Sequence, residues 1–233
     1  MGGITVGQPN QRTRIGAIDV GTTGVRFVLY DGDANPVASA YRELPLATPK
    51  PGWVEQDPEI LLAATLTVLN EVLGEDKEHV ASLAGIGLTN QRETVVVWDR
   101  ETGRPLHPAI VWQDRRTAKR CSELRQRDRA NMIYDRTGLS LDPYFSATKI
   151  EWLLEHVPEL RERAADGTGC FGTVNSWLLW HLTGEHLTDD TNASRTMLFN
   201  IDCRDWDDEI LALFGVPKAA LPRVCPSLSV FGR

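Results

Sequence analysis

Three short apolar runs near the amino terminus, at residues 15–19, 25–30 and 37–41, are cut apart by turn-forming residues. Gly21-Thr22-Thr23-Gly24 separates the first two, and Asp31-Gly32-Asp33 with Asn35-Pro36 separates the next two. Runs so short are too brief for ordinary helices, and glycine, aspartate and proline close strands rather than extend them. The pattern predicts a three-stranded antiparallel meander. Helical spacing takes over after it. Asp57-Pro58 offers a capping side chain followed by proline at the first helical position. Leu62, Leu66, Leu69 and Leu73 then repeat at +4, +3 and +4, which predicts one apolar helix face ending at Gly74. Further strands are expected at 84–89 and 94–98, and helices at 114–127, 147–157 and 176–183, the last closed by Gly184. Strands first and helices afterwards make the class α/β, with one domain over 15–233 as the simplest account. Residues 1–14 read as a polar, disordered extension.

Charge narrows the possible partners. With 32 acidic against 25 basic residues the net charge is -7, which disfavours non-specific binding to nucleic acid or to an anionic membrane. No apolar run is long enough to span a bilayer as a helix, and the first residues lack the apolar middle of a signal peptide. Cys121, Cys170, Cys203 and Cys225 form no CxxC pair. They read as reduced thiols, which fits a cytoplasmic location. Asn192-Ala193-Ser194 spells a glycosylation sequon, read here as chance.

Four polar stretches could carry chemistry. In Asp19-Val20-Gly21-Thr22-Thr23-Gly24-Val25-Arg26, two glycines can let backbone N–H groups face an anion, and two hydroxyls and a guanidinium add donors. A carboxylate at the strand end can hold a hydrated Mg²⁺. A plain glycine-rich turn explains the stretch about equally well. In Asn90-Gln91-Arg92-Glu93 an adjacent cation and carboxylate could grip a polyol from both sides, or could form a solvated turn. Trp112, after an apolar run, and Tyr144, in the turn Asp142-Pro143-Tyr144-Phe145, would each pass alone for packing residues.

Two other patterns mislead. Gly167-Thr168-Gly169-Cys170-Phe171-Gly172 spells GxGxxG, but a charged helical stretch precedes it where a dinucleotide site needs a strand. The basic residues Arg115, Arg116, Lys119, Arg120, Arg125, Arg127 and Arg129 are interspersed with acids, as on a solvated helix face.

Taken together and in order, these stretches resemble the glycerol kinases of the FGGY carbohydrate kinase family. The resemblance rests on Pro49-Lys50-Pro51-Gly52-Trp53-Val54-Glu55, Asn90-Gln91-Arg92-Glu93-Thr94, Asp142-Pro143-Tyr144-Phe145-Ser146 and the run from Thr191 to Asn200. It implies an actin-like, ribonuclease-H-like ATPase fold, a mixed sheet flanked by helices. It implies that Thr22, Thr23, Gly24 and Arg26 hold the phosphates of ATP, that Asp19 positions Mg²⁺, and that Arg26 also serves the transfer step. Arg92, Glu93, Trp112 and Tyr144 would bind glycerol. The implied reaction is ATP-dependent phosphorylation of glycerol to glycerol 3-phosphate by a full-length enzyme, of which this chain is the amino-terminal, substrate- and phosphate-binding half. The resemblance places the proton-accepting aspartate beyond residue 233, so this chain by itself should be inactive. It also leaves room for a homo-oligomer in the full-length form. Many glycerol kinases carry glutamine where this chain has Val20, a change that leaves Thr22, Thr23 and Arg26 untouched and leaves open its effect on the water around Asp19. The competing readings are a xylulose- or gluconate-type sugar kinase, and a non-catalytic binding module that keeps only this domain.

Overall fold

A computed structural model describes residues 13–74, 77–126 and 129–232. The expected extension over 1–14 therefore lies almost wholly outside the described residues, as does Arg127. In chain order the first elements are β1 (Arg14–Val20), β2 (Gly24–Tyr30), β3 (Pro36–Glu43), β4 (Glu55–Gln56), α1 (Pro58–Leu73), α2 (Lys77–Ser82), β5 (Leu83–Asn90), β6 (Val95–Asp99) and β7 (Pro105–Ile110). The helices α3 (Ala118–Gln126), α4 (Ala130–Thr137), α5 (Ala147–His156) and α6 (Leu160–Asp166) follow. Then come β8 (Gly169–Gly172), α7 (Val174–Thr183), β9 (Leu187–Asp189), α8 (Asp190–Ala193), β10 (Phe199–Asn200), β11 (Asp205–Trp206), α9 (Asp208–Phe214) and β12 (Arg223–Cys225). The class is α/β, as the strand and helix patterns imply.

The chain divides into two compact units. One holds the described residues of Met1–Leu44 with Leu61–Thr89, and the other holds Pro45–Ile60 with the described residues of Asn90–Arg233.

In the first unit the strand order is β3-β2-β1-β5, so the predicted meander is present and β5 extends it beyond β1. β1 to β2 and β2 to β3 are antiparallel. Period-two alternation turns Ile18, Val20, Val25, Phe27 and Leu29 into the core. Gly16 is small for a reason: a Cβ there would lie 2.7 Å from the Phe27 ring.

Helix α1 begins as the sequence suggests, with the Asp57 carboxylate accepting from Glu59 N at 2.8 Å. Its buried face differs from the predicted one. Leu61, Thr65, Val68 and Val72 are buried, whereas Leu66, in the expected leucine row, is 42% exposed. The two rows sit one residue, about 100°, apart on a helix that is apolar nearly all round. Thr65 can be buried because its hydroxyl donates to Leu61 O at 2.9 Å, which removes the cost of hiding it.

The second unit centres on the sheet β4-β7-β6-β8, antiparallel throughout, with short pairs β10-β11 and a parallel β9-β12. Helices α5 and α7 confirm the segments expected at 147–157 and 176–183, and Gly184 closes α7 with φ 77°. The helix expected from Asp114 begins only at Ala118. Asp114 is fully buried and accepts from Val54 N at 2.7 Å and Arg116 N at 2.8 Å. The residues between Asp114 and Ala118 form a turn instead, with Ala118 N donating to Arg115 O at 3.0 Å.

The basic residues here are mostly spoken for. The Arg116 side chain, 1% exposed, pairs with Asp114 and Glu55 and lies over the rings of Trp53 and Trp152. Arg120 makes two bonds to Glu151, and Arg115 pairs with Asp142. The GxGxxG run is equally structural. Gly167 caps α6 with φ 80°, and β8 begins at Gly169. A Cβ on Gly172 would meet the Ser176 side chain at 2.5 Å. Asn192 of the sequon is buried and bonds Asp189.

Candidate substrate and phosphate sites

In the first unit, the turn between β1 and β2 is tight. Gly21 N donates to Gly24 O at 2.9 Å, leaving Thr22 and Thr23 as its tip. Neither glycine has a positive φ, so the left-handed freedom of glycine is not what the turn uses. Gly24 serves close approach instead: a Cβ there would lie 2.2 Å from the Tyr41 hydroxyl. That hydroxyl donates to Thr23 O at 3.3 Å, and Leu44 N donates to the same carbonyl at 2.9 Å.

Asp19 and Arg26 are register partners across β1 and β2, and both side chains are exposed. Arg26 also sits over the Tyr41 ring at 5.7 Å, a contact that steadies a guanidinium in place. Val20 is completely buried, on the opposite face of the strand from Asp19. Its side chain belongs to the core of this unit. Among the described residues no group of three or more acids, histidines or cysteines could cage a metal. A lone exposed carboxylate suits Mg²⁺, which keeps much of its water and takes phosphate oxygens as further ligands.

The second unit gathers three of the four residues expected to bind glycerol. The Trp112 and Tyr144 rings stand 5.2 Å apart at 54°. Trp112 N donates to Thr94 Oγ1 at 3.2 Å, next to Glu93 in sequence. Ser146 Oγ, two residues past Tyr144, donates to Glu93 O at 3.2 Å. Glu93 is buried, 4% exposed, whereas its neighbour Arg92 is on the exposed side. The turn that presents Tyr144 is braced by Asp142, whose Oδ1 accepts from Tyr144 N at 2.9 Å.

Two residues emerge that sequence reasoning assigned no role. Arg195 donates from Nε to Glu93 Oε1 at 2.7 Å and lies over the Phe145 ring. It falls within the run from Thr191 to Asn200, where a lone arginine gave no sign of its partner 102 residues away. Lys149, fully buried in α5, donates from Nζ to Tyr144 O at 2.9 Å. Burial pulls its ammonium down to about 7, against the opposing pull of Asp114 and Glu93. Its position within an apolar helical pattern hid it, since lysine is seldom so deep.

Close packing also leaves a mark on the backbone. Met197, completely buried, has φ 64°, unusual for a residue with a side chain. It is held by Thr196, whose carbonyl accepts from Ala147 N at 2.8 Å and whose hydroxyl bonds Ala193 O at 2.7 Å.

Comparison with known proteins fits this arrangement. The model for the N-terminal domain of the FGGY family of carbohydrate kinases matches residues 14–233, and so takes in both units. A glycerol kinase of Gluconobacter oxydans is 52% identical over 218 residues, covering 93% of this chain and 42% of that protein. The crystal structure of Plasmodium falciparum glycerol kinase with ADP superposes with a TM-score of 0.88 at 36% identity, covering 95% of this chain and 44% of that one. Gluconate kinase from Lactobacillus acidophilus matches with a TM-score of 0.83 at 26% identity, over 92% and 42% of the two chains. The chain thus spans less than half the length of the proteins it resembles.

Proposed function

Because the chain belongs to the FGGY family of carbohydrate kinases, we propose that it is the substrate- and phosphate-binding half of a glycerol kinase. The observation that carries the reading is the buried Glu93 carboxylate, held by Arg195 and joined through Thr94 and Ser146 to the paired rings of Trp112 and Tyr144. A polyol offers hydroxyls at its edges and an apolar carbon chain between them. A carboxylate accepts from the hydroxyls, the tyrosine can bond another, and the tryptophan face covers carbon. Arg92 adds donors from the exposed side.

The reaction is transfer of the γ-phosphoryl group of ATP to a terminal hydroxyl. The hydroxyl oxygen forms a bond to phosphorus, the bond to the β–γ bridging oxygen breaks, and ADP leaves. The hydroxyl proton passes to a carboxylate, which the family resemblance places beyond residue 233. Catalysis of this kind is mostly positioning and charge neutralisation. Thr22, Thr23 and the Gly24 backbone would bind phosphate oxygens, and Arg26 would offset negative charge. Asp19 would hold Mg²⁺, which neutralises phosphate charge when bound.

The same fold carries gluconate and xylulose kinases, so the test is a substrate panel on the full-length protein. ADP release should show the highest kcat/KM with glycerol. A higher value for a ketopentose or gluconate would assign the protein to another branch of the family. Buried polar partners make such discrimination steep, since a poorly fitting ligand leaves them unpaired.

A further inference from the structure

Lys149, like Asp114, is 0% exposed, and it lies in the first turn of α5. An ammonium is costly to bury unless it is paired or hydrogen-bonded. Its Nζ reaches back to the carbonyl of Tyr144 at 2.9 Å. That carbonyl lies in the turn whose other end is fixed by Asp142, through its bond from Tyr144 N at 2.9 Å. The peptide units on both sides of the Tyr144 side chain are therefore tied, one by a carboxylate and one by a cation.

The same ammonium lies within electrostatic reach of Glu93, Asp114 and Asp142, with Arg116 opposing it. Asp114 already has Arg116, and Asp142 has Arg115. Glu93 has Arg195, whose side chain is 29% exposed and so reaches it from the rim.

We propose that Lys149 is a positioning residue for the polyol site, fixing the turn that presents Tyr144. The lysine need not touch the substrate. It acts through the orientation of the Tyr144 hydroxyl. This inference rests on reading Glu93, Trp112 and Tyr144 as a glycerol site.

The test uses the full-length protein with Lys149→Met, which keeps length and loses charge and donor, and Lys149→Gln, which keeps a donor. Folding is checked by circular dichroism, glycerol binding by calorimetry, and turnover by ADP release. Lys149→Met should raise KM and the calorimetric Kd for glycerol by about 10-fold or more, while kcat and KM for ATP change less than about threefold. Lys149→Gln should fall between Lys149→Met and the wild type. A purely structural lysine would lower Tm or the active fraction and leave the KM of the surviving enzyme unchanged, and that result would overturn the proposal. So would failure of both variants to fold, which would make the residue a folding element. If wild type itself gave no glycerol heat or glycerol-dependent turnover, the reading of the site would fall first.

Discussion

Asp19 and Arg26 face one another directly across the first hairpin, an acid and a base held on the same surface by strand register. Tyr41 stands beside Arg26 as its partner on the next strand, so the guanidinium has a fixed floor. One side chain suited to a hydrated cation and another suited to phosphate are thereby presented together, without either being buried.

From that arrangement Arg26→Ala in the full-length enzyme should mainly lower kcat, because charge on the transferring group grows toward the transition state. Arg92→Ala should mainly raise KM for glycerol, because its contact would be made throughout. Loss of a charge-assisted hydrogen bond is worth roughly 1.5–3 kcal/mol, or about 10- to 150-fold. Steady-state kinetics with each substrate varied would check both. An identical change in the same parameter for the two variants would contradict the division of roles.

Gly24 offers a test independent of catalysis. A methyl group would enter the Tyr41 ring, 2.2–2.4 Å from three of its atoms. Gly24→Ala should therefore push Tyr41 aside and cost about 1–3 kcal/mol, an overpacking penalty. Chemical denaturation would show it. Because Tyr41 supports Arg26, kcat should fall as well.

Arg195 is expected to matter more than its place on the rim suggests. Arg195→Ala leaves Glu93 buried without its 2.7 Å partner. With the arginine side chain 29% exposed, solvent screens part of the loss. A stability cost of about 1–3 kcal/mol is expected, together with weaker glycerol binding. Removing both groups, as in Glu93→Gln with Arg195→Ala, should destabilise less than the single arginine change. A double-mutant cycle by urea denaturation measures the difference.

His186 makes the fold sensitive to acid. Burial holds its ring down at about 4, with Nε2 donating to Phe171 O at 2.9 Å. The unfolded chain takes up this proton at the ordinary value near 6.5, before the folded chain does. The contribution is thus fully present above about 6.5 and lost as pH falls toward 4, up to roughly 3 kcal/mol over that window. Urea midpoints should fall between pH 7 and 4.5, and His186→Gln should flatten the slope. A variant as pH-dependent as wild type would assign the effect to other groups.

The sequence made some of this plain and concealed the rest for identifiable reasons. The meander was legible because turn residues and two-residue alternation are local. α5 and α7 were legible because their spacing is helical and glycine stops α7. The buried face of α1 was not legible. Leucine is more apolar than valine or threonine, but which row faces inward is decided by the neighbours, and Thr65 hides its own hydroxyl. Asp114 looked like a helix start because aspartate often is one, and only the fold brings Val54 N to it. Motif resemblance selected Glu93, Trp112 and Tyr144, and the structure joins them. It could not reveal Arg195 or Lys149 as their supports. Those ties depend on distance in space, and for Arg195 on 102 residues of intervening chain.

The glycine run at 167–172 carries one more consequence. Its letters match a phosphate cradle, but α6 ends there instead of beginning. A helix terminus of this polarity turns carbonyl oxygens outward, the negative end of the peptide dipoles. Asp99, Glu101, Glu159, Glu162 and Asp166 line the adjoining hollow, against one cation, Arg163, which pairs with Asp99. A pyrophosphate arriving at this place would meet a field that repels it. Because α6 ends at this run, its terminal carbonyls and not its N–H groups lie at this turn, and the letters alone do not make an anion site.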